Sequence, residues 1–301
     1  MKDIFVKIAS PIIIFKRRLF NLVIVTGKYL ASKVGNKYNF CLDDALLHLH
    51  ERNWKLKPVE IISEKNDNYL LSIDGFKFYW PKKFETDDLS WIYSEIFNDV
   101  EINPSSYKHE KAPIKNTAWV FDAGASEGFF TEYALQKTAG TVYAFEPIKE
   151  LEISLIETFR EDYDSGKFKM ISAGIGKENT LMQLSLNLKH PCDATTLDDI
   201  NIEKREVKIV TIDDIVKSES LKGPGFIKMD IEGAEMDALK GAVTTLKDFK
   251  PNLAVAVYHE YENGLECAKI IKNANPSYTI KFRGMNGYFK GKARPYILFA
   301  Y

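Results

Sequence analysis

The chain is short of several things, and each shortage excludes a class of protein. Its 301 residues include three cysteines, Cys41, Cys192 and Cys267. They are odd in number and far apart, which excludes a disulfide framework and a CxxC zinc pattern and makes a reducing, cytoplasmic setting the expectation. Neither sign of charge is in excess: 41 basic and 42 acidic residues leave a formal net charge of −1. The chain as a whole therefore carries no field for nucleic acid. No apolar run approaches the ~20 residues that span a bilayer. There is no internal repeat and no low-complexity tract. What remains is an ordinary globular composition, 45% hydrophobic and 28% charged, with length for one large domain plus an extension.

The charge is unevenly spread. In residues 1–35, Lys2, Lys7, Lys16, Arg17, Arg18, Lys28 and Lys33 oppose only Asp3, a local net charge of +6. The apolar runs "PIIIF" (11–15) and "LFNLVIV" (19–25) are split by Lys16-Arg17-Arg18. No small-residue cleavage site follows them, so a secretory signal is not expected. The pattern from Ile12 to Val34 suits a helix with a broad apolar face. Two readings stand: a helix packed on the domain or on a second subunit in a homo-oligomer, or a basic amphipathic helix lying peripherally on the inner face of an anionic membrane.

Residues 36–114 read as an α+β extension. Residues 43–53 and 87–97 look helical, and "NYLLSIDGFKFYWP" (68–81) looks like a hairpin turning at Asp74-Gly75. The polar, turn-rich 103–113 is expected to form the boundary before the main domain, residues 115–301. There, short apolar runs alternate with amphipathic helices: "AWVFDAG", "TVYAFEP", "FKMISAGIG", "GFIKMDIEG" and "NLAVAVYH" as strands, with helices between them. A more β-like insert carries "TLMQLSLNL" and "VKIVTIDDI", one helix is expected over 234–249, and two strands close the chain. This alternation predicts an α/β fold with a doubly wound, mostly parallel sheet, whose ligands bind at the carboxyl ends of the strands.

"VFDAGASEGFFT" (120–131) is the first strand-to-helix turn of that sheet. Small residues let a ligand approach the backbone, and a helix starting near Ser126 offers free N–H groups. The turn departs from the dinucleotide fingerprint: Ser126 stands two residues after Gly124, the third glycine is missing, and Glu127 puts a negative charge where a pyrophosphate would lie. A zwitterionic amino-acid end fits better, with Asp122 receiving its ammonium group. Glu146, at the end of "YAFEP", is placed to accept hydrogen bonds from ribose hydroxyls. A glycine turn with a ribose acid and no pyrophosphate chemistry points to S-adenosyl-L-methionine.

Taken together, "FDAGASEGFFT", "YAFEP", "VTIDDI", "FIKMDIEGAEMDALKGA" and "LAVAVYH" resemble the FkbM-type S-adenosylmethionine-dependent methyltransferases, over roughly residues 115–301. The resemblance implies a seven-stranded methyltransferase sheet with an antiparallel last strand, and methylation of hydroxyl groups on sugars, glycans or glycosylated natural products. It implies cofactor contacts at Asp122, Gly124, Ala125, Ser126, Gly128 and Asp230, a ribose acid at Glu146, and an adenine side at Ser172 and Ala173. Ser126 stands where Asn or similar is usual, and is expected to cap the helix as Asn does.

The chemistry asks for an aligned acceptor and a route for its proton. Asp230 and Glu232 close a buried strand at the cofactor edge. His259, with an imidazole pKa near ~6.5, is a natural proton acceptor. Glu235 is read as favouring the first helical turn. Arg283 is a candidate clamp for a substrate anion, and His190, beside Cys192, sits in an expected lid on the substrate side. Asp230, Glu232 and His259 are of metal-ligand type, but without a denser cluster no metal is assigned. The competing function is a differently reacting nucleotide-cofactor protein, such as an NAD-dependent oxidoreductase, which should carry the missing third glycine. A non-catalytic cofactor module should lack the strand-end acids.

Overall fold

The computed structural model describes residue 19 and residues 21–187, 202–286 and 292–301. Helix α1 (21–32) lies within the basic N-terminal segment, and residues 36–114 open with helix α2 (Leu42–Glu51). An antiparallel sheet follows, made of β1 (Val59–Lys65), β2 (Asn68–Ile73) and β3 (Phe76–Pro81), then helix α3 (Leu89–Phe97). Asp74 and Gly75 both have positive φ, 49° and 90°, which matches the right-handed twist of the β2–β3 hairpin they join.

The second unit in chain order comprises β4 (Trp119–Ala123), α4 (Phe129–Lys137), β5 (Thr141–Phe145), α5 (Lys149–Thr158), α6 (Arg160–Asp164), β6 (Phe168–Ile171) and β7 (Gly174–Ile175). After these come β8 (Thr180–Asn187), β9 (Ile202–Val210), α7 (Ile212–Ser218), β10 (Gly225–Met229), α8 (Glu235–Lys240), α9 (Val243–Asp248), β11 (Asn252–Ala256), α10 (Asn263–Ala274), β12 (Ile280–Arg283) and β13 (Ile297–Ala300). Seven strands form one sheet in the order β12-β13-β11-β10-β4-β5-β6. β4, β5, β6, β10 and β11 pair in parallel, and β13 runs antiparallel to both of its neighbours. β7, β8 and β9 form a separate small sheet.

The central strands are mostly apolar because both of their faces are covered; the buried exceptions, Asp122 of β4 and Lys228 of β10, pair with each other. Val120 of β4 faces a layer that includes Phe129 and Phe226, while Trp119, Phe121 and Ala123 face a layer that includes Leu239 and Ile271. The extension shares the first of these cores. Leu71, Ile73, Phe78 and Trp80 are buried, each contributing ~1.5–3 kcal/mol of apolar burial. The Phe78 and Tyr93 rings lie 5.1 and 5.3 Å from that of Phe129 on α4, both edge to face. The Tyr79 N–H also donates to Thr158 Oγ1 on α5 at 2.9 Å.

Three expectations change. The single helix over 234–249 is two, α8 and α9, separated at Gly241 and Ala242. A Cβ on Gly241 would lie 2.1 Å from the carbonyl oxygen of Gly176, so the chain passes too close there for any side chain. The end of "VKIVTIDDI" is helical, because Thr211 Oγ1 accepts the Asp214 N–H at 3.1 Å and caps α7. Finally, the polar stretch 103–113 does not lie on the surface over its first part. Asn103, Ser105, Ser106 and Tyr107 are buried, with Asn103 Oδ1 accepting the Ser105 N–H at 3.1 Å.

Among the described residues no helix is long and apolar enough to cross a membrane. α1 is docked by one side: Val25 is buried with Tyr38, Phe40 and Met285, and Arg52 Nε donates to Asn21 Oδ1 at 3.1 Å. Leu22, Val23 and Leu30 on its other side are exposed.

Candidate active site

A cavity of about 540 Å³ opens at the carboxyl ends of β4, β5 and β10, within the usual range of ~300–1,000 Å³ for small-molecule sites. Its floor is the turn after β4. Gly124, Ser126 and Gly128 have φ of 78°, 43° and 85°. The N–H groups of Gly124 and Ala125 both donate to the carbonyl of Phe145 at 3.2 Å. A Cβ at Gly124 would lie 2.0 Å from the carbonyl oxygen of Asp230. The turn is thus wedged against the end of β10, where only a glycine fits. The helix starts later than expected: Gly128 is the N-cap of α4, with no side-chain cap. The Ser126 N–H donates to Glu146 Oε2 at 3.1 Å.

Glu146 lines the cavity at the end of β5 and is 4% exposed. Its Oε1 accepts the Ile148 N–H at 2.8 Å. Burial pushes its pKa up to about 7, against the pull of these two amides. Glu127 also lines the cavity, and burial raises it likewise to about 7.

Asp122 does not line the cavity. It is wholly buried beneath the turn, with Oδ1 receiving Lys228 Nζ at 3.0 Å and Oδ2 receiving the Thr131 hydroxyl at 2.7 Å. With its acceptors engaged from below, it is a foundation of the turn and is out of reach of a ligand ammonium group. Lys228 does line the cavity, and its Nζ also donates to the carbonyls of Gly124 at 2.7 Å and Ala123 at 3.3 Å. Burial opposes the charge on Lys228, but the carboxylates of Asp122 and Asp230 outweigh it and raise the pKa. Ala173 is buried and Ser172 exposed, and neither lines the cavity; the wall on that side comes from Gly174 and Ile175.

Next to the turn, beyond the end of β10, stand Asp230 and Glu232, both lining the cavity. The Tyr107 hydroxyl donates to Asp230 Oδ2 at 2.7 Å and the Tyr258 hydroxyl to Oδ1 at 3.5 Å. Glu232 has a positive φ of 56° and Gly233 one of 96°. This left-handed pair, costly for a glutamate, turns the loop back toward β11. His259 lies on the loop beyond β11, three residues past the strand end, and does not itself line the cavity. Its Nε2 is 3.6 Å from Asp230 Oδ1 and 3.4 Å from Glu232 Oε2, and its Nδ1 is 3.6 Å from Glu235 Oε1. Burial works against its charge, but the approach of Glu232, Asp230 and Glu235 outweighs burial and raises its pKa to about 9. In this setting the imidazole holds its proton at neutral pH, contrary to the expectation of a free acceptor near pH 6.5. Arg294 secures the loop from outside, donating to the carbonyls of Tyr258 and, at 3.2 Å, His259.

Arg283 lies away from this cavity. Its guanidinium donates to the carbonyls of Asn103, at 3.2 and 2.9 Å, and of Val100. With Nε and Nη2 engaged by the backbone and no place in the lining of this cavity, Arg283 is not positioned to clamp an anion bound there. His190, and the lid expected around it, lie outside the described residues.

Several cavity residues carry no signal in sequence spacing. Ile92, Glu95 and Ile96 on α3, with Tyr107, form the wall beside Asp230, and Met182, Leu184 and Ile209 of the β8–β9 hairpin form another. Burial, with the Glu51 and Asp230 carboxylates adding to it, pushes Glu95 up to about 8. Glu235 was readable only as a first-turn acid, yet its Oε1 accepts the N–H groups of Ile231 at 3.0 Å and Gly233 at 3.3 Å.

A doubly wound sheet whose last strand is antiparallel, with a glycine turn behind β4 and a buried carboxyl at the end of β5, defines a class: the S-adenosylmethionine-dependent methyltransferases. The chain belongs to the FkbM family of that class, since the family model described as a methyltransferase FkbM domain matches residues 122–278. It is 26% identical over 192 residues to Methyltransferase 1 of Beauveria bassiana, a match covering 56% of this chain and 73% of that protein. To the hexuronic acid methyltransferase AglP of Haloferax volcanii it is 24% identical over 172 residues, covering 57% and 67%. Among solved structures it is similar to methyltransferase FkbM from Methylobacillus flagellatus, with a TM-score of 0.46 and 24% identity. That match covers 69% of this chain and about half, 48%, of the other.

Proposed function

We propose that this enzyme methylates a hydroxyl group of a carbohydrate-like acceptor. The observation that carries the reading is one cavity lined by two chemically different groups, the glycine turn with Glu146 and, next to that turn at the end of β10, Asp230 with Glu232, Tyr107 and Glu95. The fit to S-adenosylmethionine rests on the turn, where a Cβ on Gly124 would drive into the Asp230 carbonyl, and on the buried Glu146 carboxyl. Gly124, Ala125, Ser126 and Glu146 would hold it, and when bound it supplies a methyl group activated by a sulfonium sulfur.

The chain's own part is alignment and proton management. Tyr107 and Tyr258 orient the Asp230 carboxylate, and that carboxylate receives the acceptor hydroxyl's proton. A sugar hydroxyl is a weak acid, so a fixed acceptor for its proton at the cavity wall is worth ~10²–10⁴-fold in rate. His259 sits behind Asp230 and Glu232 and acts on them, not on the acceptor. The apolar Ile92 and Ile96 exclude water from the same wall.

The relative named for a hexuronic acid supports a sugar acceptor. A peripheral membrane contact through residues 1–35 belongs to this proposal, supported by the exposed Leu22, Val23 and Leu30 of α1 and the basic residues before it; an acceptor carried on lipid at the inner membrane face would suit it. The test is transfer of labelled methyl to a panel of free, glycosidic and lipid-linked sugars, uronic acids included. The expected product is an ether that survives mild base. Label released by mild base marks a carboxyl acceptor, and no label on any sugar with the cofactor bound removes the carbohydrate reading.

A further inference from the structure

The geometry points to a divalent transition-metal site formed by Asp230, Glu232 and His259, an inference that rests on the methyl-transfer reading for its use but not for its existence. Among the described residues these three form the group whose ligand atoms all lie within 4.8 Å of one another. Nε2 of His259 is 3.6 Å from Asp230 Oδ1 and 3.4 Å from Glu232 Oε2. Around an ion with ligand distances near ~2.1 Å, adjacent donors stand roughly 3.0–3.4 Å apart. A small inward movement of each side chain therefore closes the set. The distances are too long for hydrogen bonds of ordinary geometry, and both ring nitrogens of His259 are buried without a hydrogen-bond partner.

A second observation lies behind the ring. Glu235 is fully buried, and its Oε1 faces His259 Nδ1 at 3.6 Å. Two backbone amides fix that oxygen, while Oε2 has no hydrogen-bond partner. A buried carboxylate on the far nitrogen of an imidazole is the arrangement that sets a metal-bound histidine: the proton stays on Nδ1, and the ion displaces the Nε2 proton to solvent and takes its lone pair. Charge agrees: three carboxylates meet one imidazole, and the nearby Lys228 is engaged with Asp122 and two carbonyls. The left-handed backbone at Glu232 turns its carboxylate toward the same point.

The donor set, one imidazole and two carboxylates, suits Mn²⁺, Fe²⁺ or Zn²⁺ better than Mg²⁺ or Ca²⁺. Because Asp230 and Glu232 line the cavity and His259 does not, the ion's open positions face the acceptor side. It binds an acceptor oxygen there and lowers its proton affinity.

The test uses the full chain, stripped with chelator and titrated with Mn²⁺ by electron paramagnetic resonance, with Zn²⁺ as competitor. One tightly held Mn²⁺ per chain is expected, displaced by Zn²⁺. Glu232→Gln and His259→Ala should each weaken binding at least about tenfold, and Glu235→Gln by ~10–100-fold through the imidazole. Glu232 is partly exposed, so its variant keeps the test alive if His259→Ala fails to fold. No binding below millimolar metal, or binding unchanged in the folded Glu232→Gln protein, overturns the site. Calorimetry of S-adenosylhomocysteine on the same samples separates the two ideas. A chain that takes the nucleoside and not Mn²⁺ loses only the metal site; one that takes Mn²⁺ and not the nucleoside keeps the site and loses the methyl-transfer reading.

Discussion

Replacing Gly124 with alanine adds one methyl group at the point where β4 and β10 end side by side. Two costs follow. At φ of 78° an L-residue loses ~1–2 kcal/mol relative to glycine. The new Cβ would also sit 2.0 Å from the Asp230 carbonyl oxygen, whereas carbon–oxygen contacts settle near ~3.3–3.6 Å. One of the two strand ends must shift by more than an ångström, which threatens the Asp230 N–H bond to the Ala123 carbonyl, now 3.1 Å. Overpacking of this kind costs ~1–3 kcal/mol. The sum of ~2–5 kcal/mol lowers the melting temperature by roughly 4–10 °C in a chain of this size. Gly233 is the control: its φ is 96°, but a Cβ there meets nothing within 4 Å, so Gly233→Ala carries the backbone cost alone. Thermal unfolding of both variants isolates the collision. Calorimetry should show S-adenosylhomocysteine binding weakened at least tenfold, about 1.4 kcal/mol or more, in Gly124→Ala. If Gly124→Ala melts no lower than Gly233→Ala and binds normally, the wedge between the turn and β10 is not what requires glycine.

Three further outcomes are expected. Glu146, with a pKa raised by burial to about 7, binds its proton more tightly folded than unfolded. Its contribution to ligand-free stability should therefore fall as pH rises from about 4.5 to about 7 and level off above that, so the difference between wild type and Glu146→Gln should change only across this window. Cofactor affinity should run the other way, weakening up to tenfold per unit below pH 7, and Glu146→Gln should flatten that profile; a profile unchanged in the variant assigns the pH dependence elsewhere. Tyr107→Phe removes the 2.7 Å hydrogen bond to Asp230 and should lower kcat by ~10–100-fold, the equivalent of ~1.5–3 kcal/mol, with S-adenosylhomocysteine affinity unchanged; a loss confined to affinity would place Tyr107 on the cofactor side. Full-length chain should float with anionic vesicles and be released by salt, while a Leu22→Ser/Val23→Ser/Leu30→Ser variant, altered at exposed positions, should stay at the bottom. Equal flotation would make α1 a packing element only.

Local sequence determined the sheet and its cofactor end. Strands buried on both faces must be mostly apolar, as "WVFDA" and "GFIKM" are apart from Asp122 and Lys228, which pair with each other, and helices between them must alternate, so the winding is legible without contacts. A turn squeezed between two strand ends must be small, and a carboxyl at the end of β5 falls at the ligand edge by topology, which makes Gly124 and Glu146 readable. Tertiary structure alone decided the rest, because each missing piece is a partner far away in the chain. Asp122 is drawn beneath the turn by Lys228, 106 positions on, and so is taken from the ligand. Tyr107 reaches Asp230 across 123 positions, which turns an apparent boundary segment into a wall of the site. Arg283 is held by carbonyls some 180 positions earlier. The protonation of His259 depends on three carboxylates converging from a loop and a helix start. Periodicity reports how a residue sits on its own element; it has no access to the charges and carbonyls that packing brings to it from another.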